Sequence, residues 1–279
     1  MDNYQIKIFK SHTHDPYENL AIENKLLMNI AEDQKFIFLY INSPCVVLGR
    51  FQNPFEECDL LKMRESSVKL VRRQSGGGTV YHDLHNLNYS FIHGTREHHK
   101  DINHLIILNA LKSFSVIAEA SGRSDLIVRE GDGHRKFSGS AFKQKKDRAF
   151  HHGTLLIDSN LQKLNKYIKP RYNKIVSKSI KSNRSTVVNL SELSISINMS
   201  SLTDAIKNSF NDYYGSNTLV ETTSDIDIDS DYLGLLKTDE WLYEETPKFE
   251  LTLEVGGKLK EIEFPKKRIL KTAKENRLI

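Results

Sequence analysis

The sequence is poor in the residues that would place it in a special class: 279 residues include two cysteines, six prolines and one tryptophan. Cys45 and Cys58 cannot build a disulfide framework, and their spacing fits neither a C-x-x-C zinc site nor a redox motif, so both read as buried thiols. No apolar run approaches the roughly 18 residues of a membrane span, and residues 1–10 lack the apolar stretch of a secretion signal, which points to a cytoplasmic protein without a membrane partner. Excess charge is scarce too. Forty Lys+Arg against 36 Asp+Glu leave a formal +4, too mild to argue for DNA, and no basic cluster is interleaved with aromatics as single-strand binders require. What remains is an ordinary globular composition, 38% hydrophobic and 27% charged, sized for one or two domains and without internal repeats.

The charge is arranged in blocks. Residues 160–184 hold eight Lys/Arg and no acid, residues 221–245 nine acids and one Lys, and residues 258–277 eight basic residues and three acids. Hydrophobic spacing predicts a mixed α/β fold. Asp15-Pro16-Tyr17-Glu18 combines an N-cap, a proline at the first helical position and a glutamate three residues after the cap, which predicts a helix over 16–32. Strands are expected at 36–41, 46–48, 68–71, 87–92 and 125–128, helices over 102–118 and from Leu202 to the stop at Gly215, and a long hairpin over 134–158 broken at Lys145-Lys146-Asp147. Gly256-Gly257 between Phe249–Val255 and Lys258–Phe264 signals a second hairpin, followed by a basic tail.

Three segments can carry chemistry. In Arg72-Arg73-Gln74-Ser75-Gly76-Gly77-Gly78-Thr79-Val80-Tyr81-His82-Asp83 the glycine triplet frees the backbone so that successive N–H groups can converge on one anion, and the Arg pair adds charge and a planar fork. The loop is not a Walker loop, since no Gly-Lys-Ser/Thr follows, and not G-x-G-x-x-G, since Thr79-Val80-Tyr81 favours a strand. In Arg135-Lys136-Phe137-Ser138-Gly139-Ser140-Ala141, Lys136 is expected on a strand edge where a ligand can approach and a point cation can stabilise developing negative charge. His151 and His152 fall on opposite faces of the return strand, one expected in the core and the other toward a pocket, which argues against zinc. Two decoys carry no role. Asp225–Asp231 has Ser230 where a calcium loop needs glycine, and Glu97-His98-His99 lacks the H-E-x-x-H pattern.

These segments, together with Ser43-Pro44-Cys45-Val46-Val47-Leu48-Gly49-Arg50-Phe51-Gln52-Asn53-Pro54, Gly122-Arg123-Ser124-Asp125-Leu126 and Phe150-His151-His152-Gly153-Thr154-Leu155-Leu156, resemble the lipoate-protein ligases and lipoyltransferases in content and order, over roughly residues 5–245. The resemblance implies an α/β, biotin/lipoate-ligase-like catalytic domain of mixed β-sheets flanked by helices. It implies a two-step reaction as well: lipoate attacks the α-phosphate of ATP, and the lipoyl-AMP formed acylates a lysine of an apo lipoyl domain, on a 2-oxoacid dehydrogenase E2 subunit or the glycine cleavage H protein. Carried over by position, Arg73, Gly76, Gly77, Gly78, Thr79, Val80 and Tyr81 would bind ATP and lipoyl-AMP. Lys136 would be catalytic and touch both nucleotide and lipoate, Arg73 and His82 would contact lipoate, and Asp125 would hold Mg2+. Apolar side chains near Leu70 and Val80 would line the lipoyl tunnel. A biotin ligase is a poorer match because its Gly-Arg-Gly-Arg type loop is absent, and octanoyltransferases use a thiolate at a position where neither Cys45 nor Cys58 falls.

The departure from the family lies at the C-terminus. The reading divides the chain into a catalytic domain, 1–245, and a short hairpin with a basic tail, 246–279, where ligases of this type carry an accessory domain. Beside a complete short ligase, this leaves a lipoyltransferase using preformed lipoyl-AMP or a lipoylated donor protein, a ligase needing a separate accessory subunit, and a non-catalytic lipoate-binding or regulatory protein.

Overall fold

Gln34–Tyr40 is buried along almost its whole length, and the two sets of alternating side chains go to different cores. Phe36, Phe38 and Tyr40 meet Ile22, Leu26 and Leu27 of the helix Pro16–Asn29, while Ile37 and Leu39 join Ile106 and Ile107 of Lys100–Lys112 and Ile206 and Phe210 of Met199–Tyr214. The sheet is therefore covered on both faces. The computed structural model describes residues 4–95, 98–122, 124–172 and 174–279; Arg123 of the Gly-Arg-Ser-Asp match and Glu97 lie outside the described residues.

The chain forms two compact units, and each is built from several stretches of sequence. The first comprises Met1–Ser43, Asp83–Ser159 and Arg184–Asp229. It holds an eight-stranded sheet in the order Val220–Thr222, Gln5–Lys10, Gln34–Tyr40, Asn86–His93, Ala149–Leu156, Gly133–Gln144, Asp125–Glu130 and Glu119–Ser121. Gln5–Lys10 is parallel to both its neighbours and the remaining pairs are antiparallel. Asp15 caps the first helix by accepting from Tyr17 N and Glu18 N at 2.8 and 3.3 Å. That helix stops at Asn29, short of residue 32, because Ile30 turns its buried side chain into the core with an extended backbone. The long hairpin forms as expected, with Gly133–Gln144 paired to Ala149–Leu156.

The second unit comprises Pro44–His82, Asn160–Asn183 and Ser230–Ile279. It contains two three-stranded sheets, one ordered Lys69–Arg72, Cys45–Leu48, Val80–His82 and the other Ile175–Ser177, Phe249–Val255, Lys258–Phe264. An isolated two-stranded hairpin is marginal in water, and residues 246–279 do not stand alone. Phe249 and Phe264 stack at 4.2 Å and pack on Phe55 at 5.4 and 5.7 Å, and the tail forms the helix Ile269–Glu275, whose first amides donate to the Glu244 carboxylate. The segment read from sequence as a separate hairpin and basic tail is thus part of this unit's core. Among the described residues no helix is long and apolar enough to cross a membrane.

Candidate active site

The glycine loop belongs to the second unit. Cys45–Leu48 pairs in parallel with Lys69–Arg72 on one side and antiparallel with Val80–His82 on the other, so residues 73–79 must pass from one edge of this small sheet to the other. Gly49 follows the central strand directly beneath that crossing. A Cβ there would lie 2.1 Å from the Gly77 carbonyl oxygen, so only glycine fits.

Arg73 holds the loop from inside. Its Nη2 donates to the carbonyls of Gly76 and Gly78 (2.6 and 2.7 Å), Nη1 to Val47 O (3.1 Å) and Nε to Ser75 Oγ (2.9 Å). With the carbonyls drawn inward, the amides of Gly76, Gly77 and Gly78 donate to no acceptor among the described residues. Successive unclaimed N–H groups are a ready anion site. The next amide, Thr79 N, donates to Ser182 Oγ at 2.8 Å. Gln52, fully buried, joins the pieces: its Oε1 accepts from Gly49 N (2.9 Å) and Thr79 Oγ1 (2.8 Å), and its Nε2 donates to Ser182 Oγ (3.0 Å). The segment bearing Ser182 is tied back by Lys181 to Glu56 (2.8 Å) and by Ser182 N to Glu57 (3.0 Å).

Arg72 does not add charge to this loop. Its guanidinium is fully buried and donates to the carbonyls of Gly49, Arg50, Gln52 and Leu242 and to Thr246 Oγ1, because alternation on the strand sends it to the opposite side from Arg73. Tyr81 is likewise a packing residue, 2% exposed and 5.8 Å from the Tyr167 ring. Leu70 and Val80 cannot line one tunnel wall. Leu70 is opposite Val46 and Val80 is opposite Val47, so their side chains leave by different faces. The face of Leu70, Val46, Leu48 and Tyr81 is packed with Cys58 and Met63; the other carries Cys45, Val47, Val71, Val80 and His82. Both cysteines are buried free thiols, and burial pushes the Cys58 thiol up out of the reactive range.

Lys136 belongs to the first unit. A bulge between Leu126 and Ile127 shifts the pairing of Asp125–Glu130 with Gly133–Gln144, and Lys136 Nζ meets Asp125 Oδ1 at 2.8 Å, both side chains under one-third exposed. Lys136 is not on a sheet edge: besides pairing with Ile127, its backbone exchanges hydrogen bonds with Thr186 and Val188. What permits the reach to Asp125 is Gly139, where a Cβ would lie 2.9 Å from Nζ.

His151 and His152 both turn inward. His152 Nδ1 donates to the buried Glu23 at 2.9 Å, and both rings are buried. Asn103 Nδ2 donates to His98 O at 2.7 Å and lies 3.3 Å from both His93 Nε2 and His151 Nδ1, while His151 Nε2 and Ser140 Oγ share a hydrogen bond of 2.8 Å. His104 packs 5.0 Å from His151. Among the described residues no group of three His, Cys, Asp or Glu could hold a metal, Asp225–Asp231 included; Ile226 and Ile228 of that stretch pack on the core while its acids face outward. Burial holds His93 and His151 well below 6.5 and His104 at about 4, its own shift increased by Lys100 and His98 against Asp101 and Asp125. The unfolded chain takes up these protons near pH 6.5 and the folded chain does not, so stability present above pH 6.5 is lost as the pH falls toward 4. His104 accounts for roughly 3 kcal/mol of that loss. Urea midpoints measured at neutral and acid pH should fall steeply for the wild type and less for His104→Gln; equal slopes would remove His104 from the acid response.

Comparison with known proteins gives a consistent result. Residues 15–211 match the model of the lipoyl protein ligase A/B catalytic domain. A lipoate-protein ligase A of Bdellovibrio bacteriovorus is 40% identical over 250 residues, which are 88% of this chain and 74% of that one. The crystal structure of P. falciparum LipL1 in complex with lipoate matches with a TM-score of 0.77 at 31% identity, over 94% of this chain and 81% of the other. The crystal structure of a lipoate-protein ligase A bound with ATP shares the fold at 20% identity, with a TM-score of 0.68 over 86% and 98% of the two chains.

Proposed function

The chain belongs to the lipoyl protein ligase A/B catalytic family, and from that premise we propose that it activates lipoate with ATP and passes the lipoyl group to a lysine of an apo lipoyl domain. The observation that carries this reading is the glycine loop: three successive amides with no acceptor among the described residues, displayed by an arginine that takes the Gly76 and Gly78 carbonyls.

In the first step a lipoate carboxylate oxygen bonds to the α-phosphorus of ATP, and the bond to the leaving pyrophosphate oxygen breaks with its electron pair. In the second, the neutral acceptor amine attacks the acyl carbon, AMP leaves, and the nitrogen loses a proton. Negative charge grows on phosphoryl oxygens in one step and on the acyl oxygen and AMP in the other. Fixed donors and a cation aimed at those atoms are worth more in the transition state than in the ground state. The Gly76, Gly77 and Gly78 amides provide the donors, with Thr79 N joining them once Ser182 gives way. Lys136 provides the point charge, and Asp125 fixes its Nζ. Asp125, whose Oδ1 meets Lys136 Nζ, would also be the carboxylate to hold Mg2+, which would supply further positive charge at the phosphates. The face of Val47, Val71, Val80 and His82 is the apolar surface proposed for the lipoyl chain. The proposed acceptors are E2 lipoyl domains and the glycine cleavage H protein. The proposed setting is the cytoplasm, where ATP is available and free thiols stay reduced.

The test is intact-mass analysis of an apo lipoyl domain incubated with the purified chain. The expected result is gain of one lipoyl group that needs both lipoate and ATP. A domain modified by synthetic lipoyl-AMP, yet untouched with lipoate and ATP, would make the chain a transferase instead.

A further inference from the structure

The mild net charge conceals a separation between the two units. The second unit holds 23 Lys/Arg and 14 Asp/Glu, whereas the first holds 17 and 22. Within the second unit, the two basic blocks seen in the sequence, far apart along the chain, converge on one cleft of about 480 Å³. Arg171 and Lys174 reach it from one block and Arg277 from the other. Its walls are Leu61, Tyr172, Leu253, Leu259 and Leu278, and Leu259 is 64% exposed. Among the described residues none of the three cations takes part in a salt bridge, and Glu254 is the cleft's one acid.

A cleft with unspent cations over an apolar floor suits an acidic protein surface whose carboxylates flank an apolar contact. We propose that this cleft docks the acyl acceptor, taking an acidic segment of the apo lipoyl domain. The proposal rests on the reading of the chain as a lipoate-protein ligase and adds where its protein substrate is held. Nothing in the adenylation step needs these residues, so docking and activation separate experimentally. Charge complementarity of this kind acts mainly on encounter and weakens with salt.

The experiment compares wild type with Arg171→Glu/Lys174→Glu/Arg277→Glu and with the milder Lys174→Gln/Arg277→Gln, which keeps the test alive if the triple variant fails to fold. Three quantities are measured: lipoate-dependent ATP–pyrophosphate exchange, the KM for an apo lipoyl domain, and its Kd by titration calorimetry. The expected result is unchanged exchange, with KM and Kd raised about tenfold in the triple variant and less in the double, and a salt dependence of Kd that the triple variant loses. Unchanged KM and Kd in either folded variant overturn the proposal. So does a variant that loses exchange while binding the domain normally, since the cleft would then serve a small anion. A wild type that binds the domain through this cleft but shows neither exchange nor transfer sinks the ligase reading and leaves the docking site standing.

Discussion

Lys136→Ala is expected to remove acyl transfer almost completely, a loss on the order of 10³-fold, while the protein keeps its melting temperature within a few degrees. The two halves of that expectation have separate causes. The Lys136–Asp125 pair is partly exposed, at 22% and 29%, and pairs of that kind contribute at most about 1 kcal/mol to folding. In the proposed reaction the same ammonium faces charge that develops on oxygen, where removing one stabilising group typically costs 10²–10³-fold. Lys136→Arg should not rescue, because the planar guanidinium fork is wider than the compact ammonium that meets Asp125 Oδ1 at 2.8 Å. Single-turnover transfer from synthetic lipoyl-AMP reads the effect without the adenylation step. A folded Lys136→Ala protein within a few-fold of wild type would take Lys136 out of the chemistry.

Arg72→Ala is expected to act in the opposite way, on the fold first. Its guanidinium is fully buried and serves four carbonyls and one hydroxyl, so its loss orphans those acceptors and opens a cavity. Burial lowers its pKa only to about 10, and it stays charged at neutral pH. Removing one member of such a network costs about 3–5 kcal/mol, a large share of the 5–15 kcal/mol that holds a typical domain together. The sequence's single tryptophan makes the loss visible. Trp241 Nε1 donates to the Arg72 carbonyl at 2.8 Å, so its fluorescence in a urea titration reports on this unit. The midpoint should drop sharply, and Arg72→Lys should recover little, since one ammonium cannot reach both the Gly49–Gln52 turn and Leu242. A shift below about 1 kcal/mol would contradict the assignment of Arg72 to structure.

Much of this was legible in the sequence because it is local. Asp15-Pro16 announces a helix, Lys145-Lys146-Asp147 a turn, Gly256-Gly257 a hairpin, and the Gly76–Gly78 run a backbone that can display its amides. The likeness to a family, resting on motif order, added the chemistry. What stayed hidden depends on pairing over long separations. Arg72 and Arg73 are equivalent as letters, and only the register of their strand against Cys45–Leu48 sends one into the core and the other into the loop. Leu70 and Val80 look alike for the same reason. Gln52 was visible only as part of a matched motif, and nothing in the polar run around Ser182 marked it as a partner of the Thr79 amide. The C-terminal segment looked like a remnant because its partner, Phe55, lies nearly two hundred residues earlier.

The central claim is the proposal that this chain forms lipoyl-AMP from lipoate and ATP. Lipoate-dependent exchange of labelled pyrophosphate into ATP by the purified chain tests it most directly. The account predicts exchange that requires lipoate and disappears in Lys136→Ala. Absence of exchange from a folded wild-type chain that still transfers from synthetic lipoyl-AMP would contradict it.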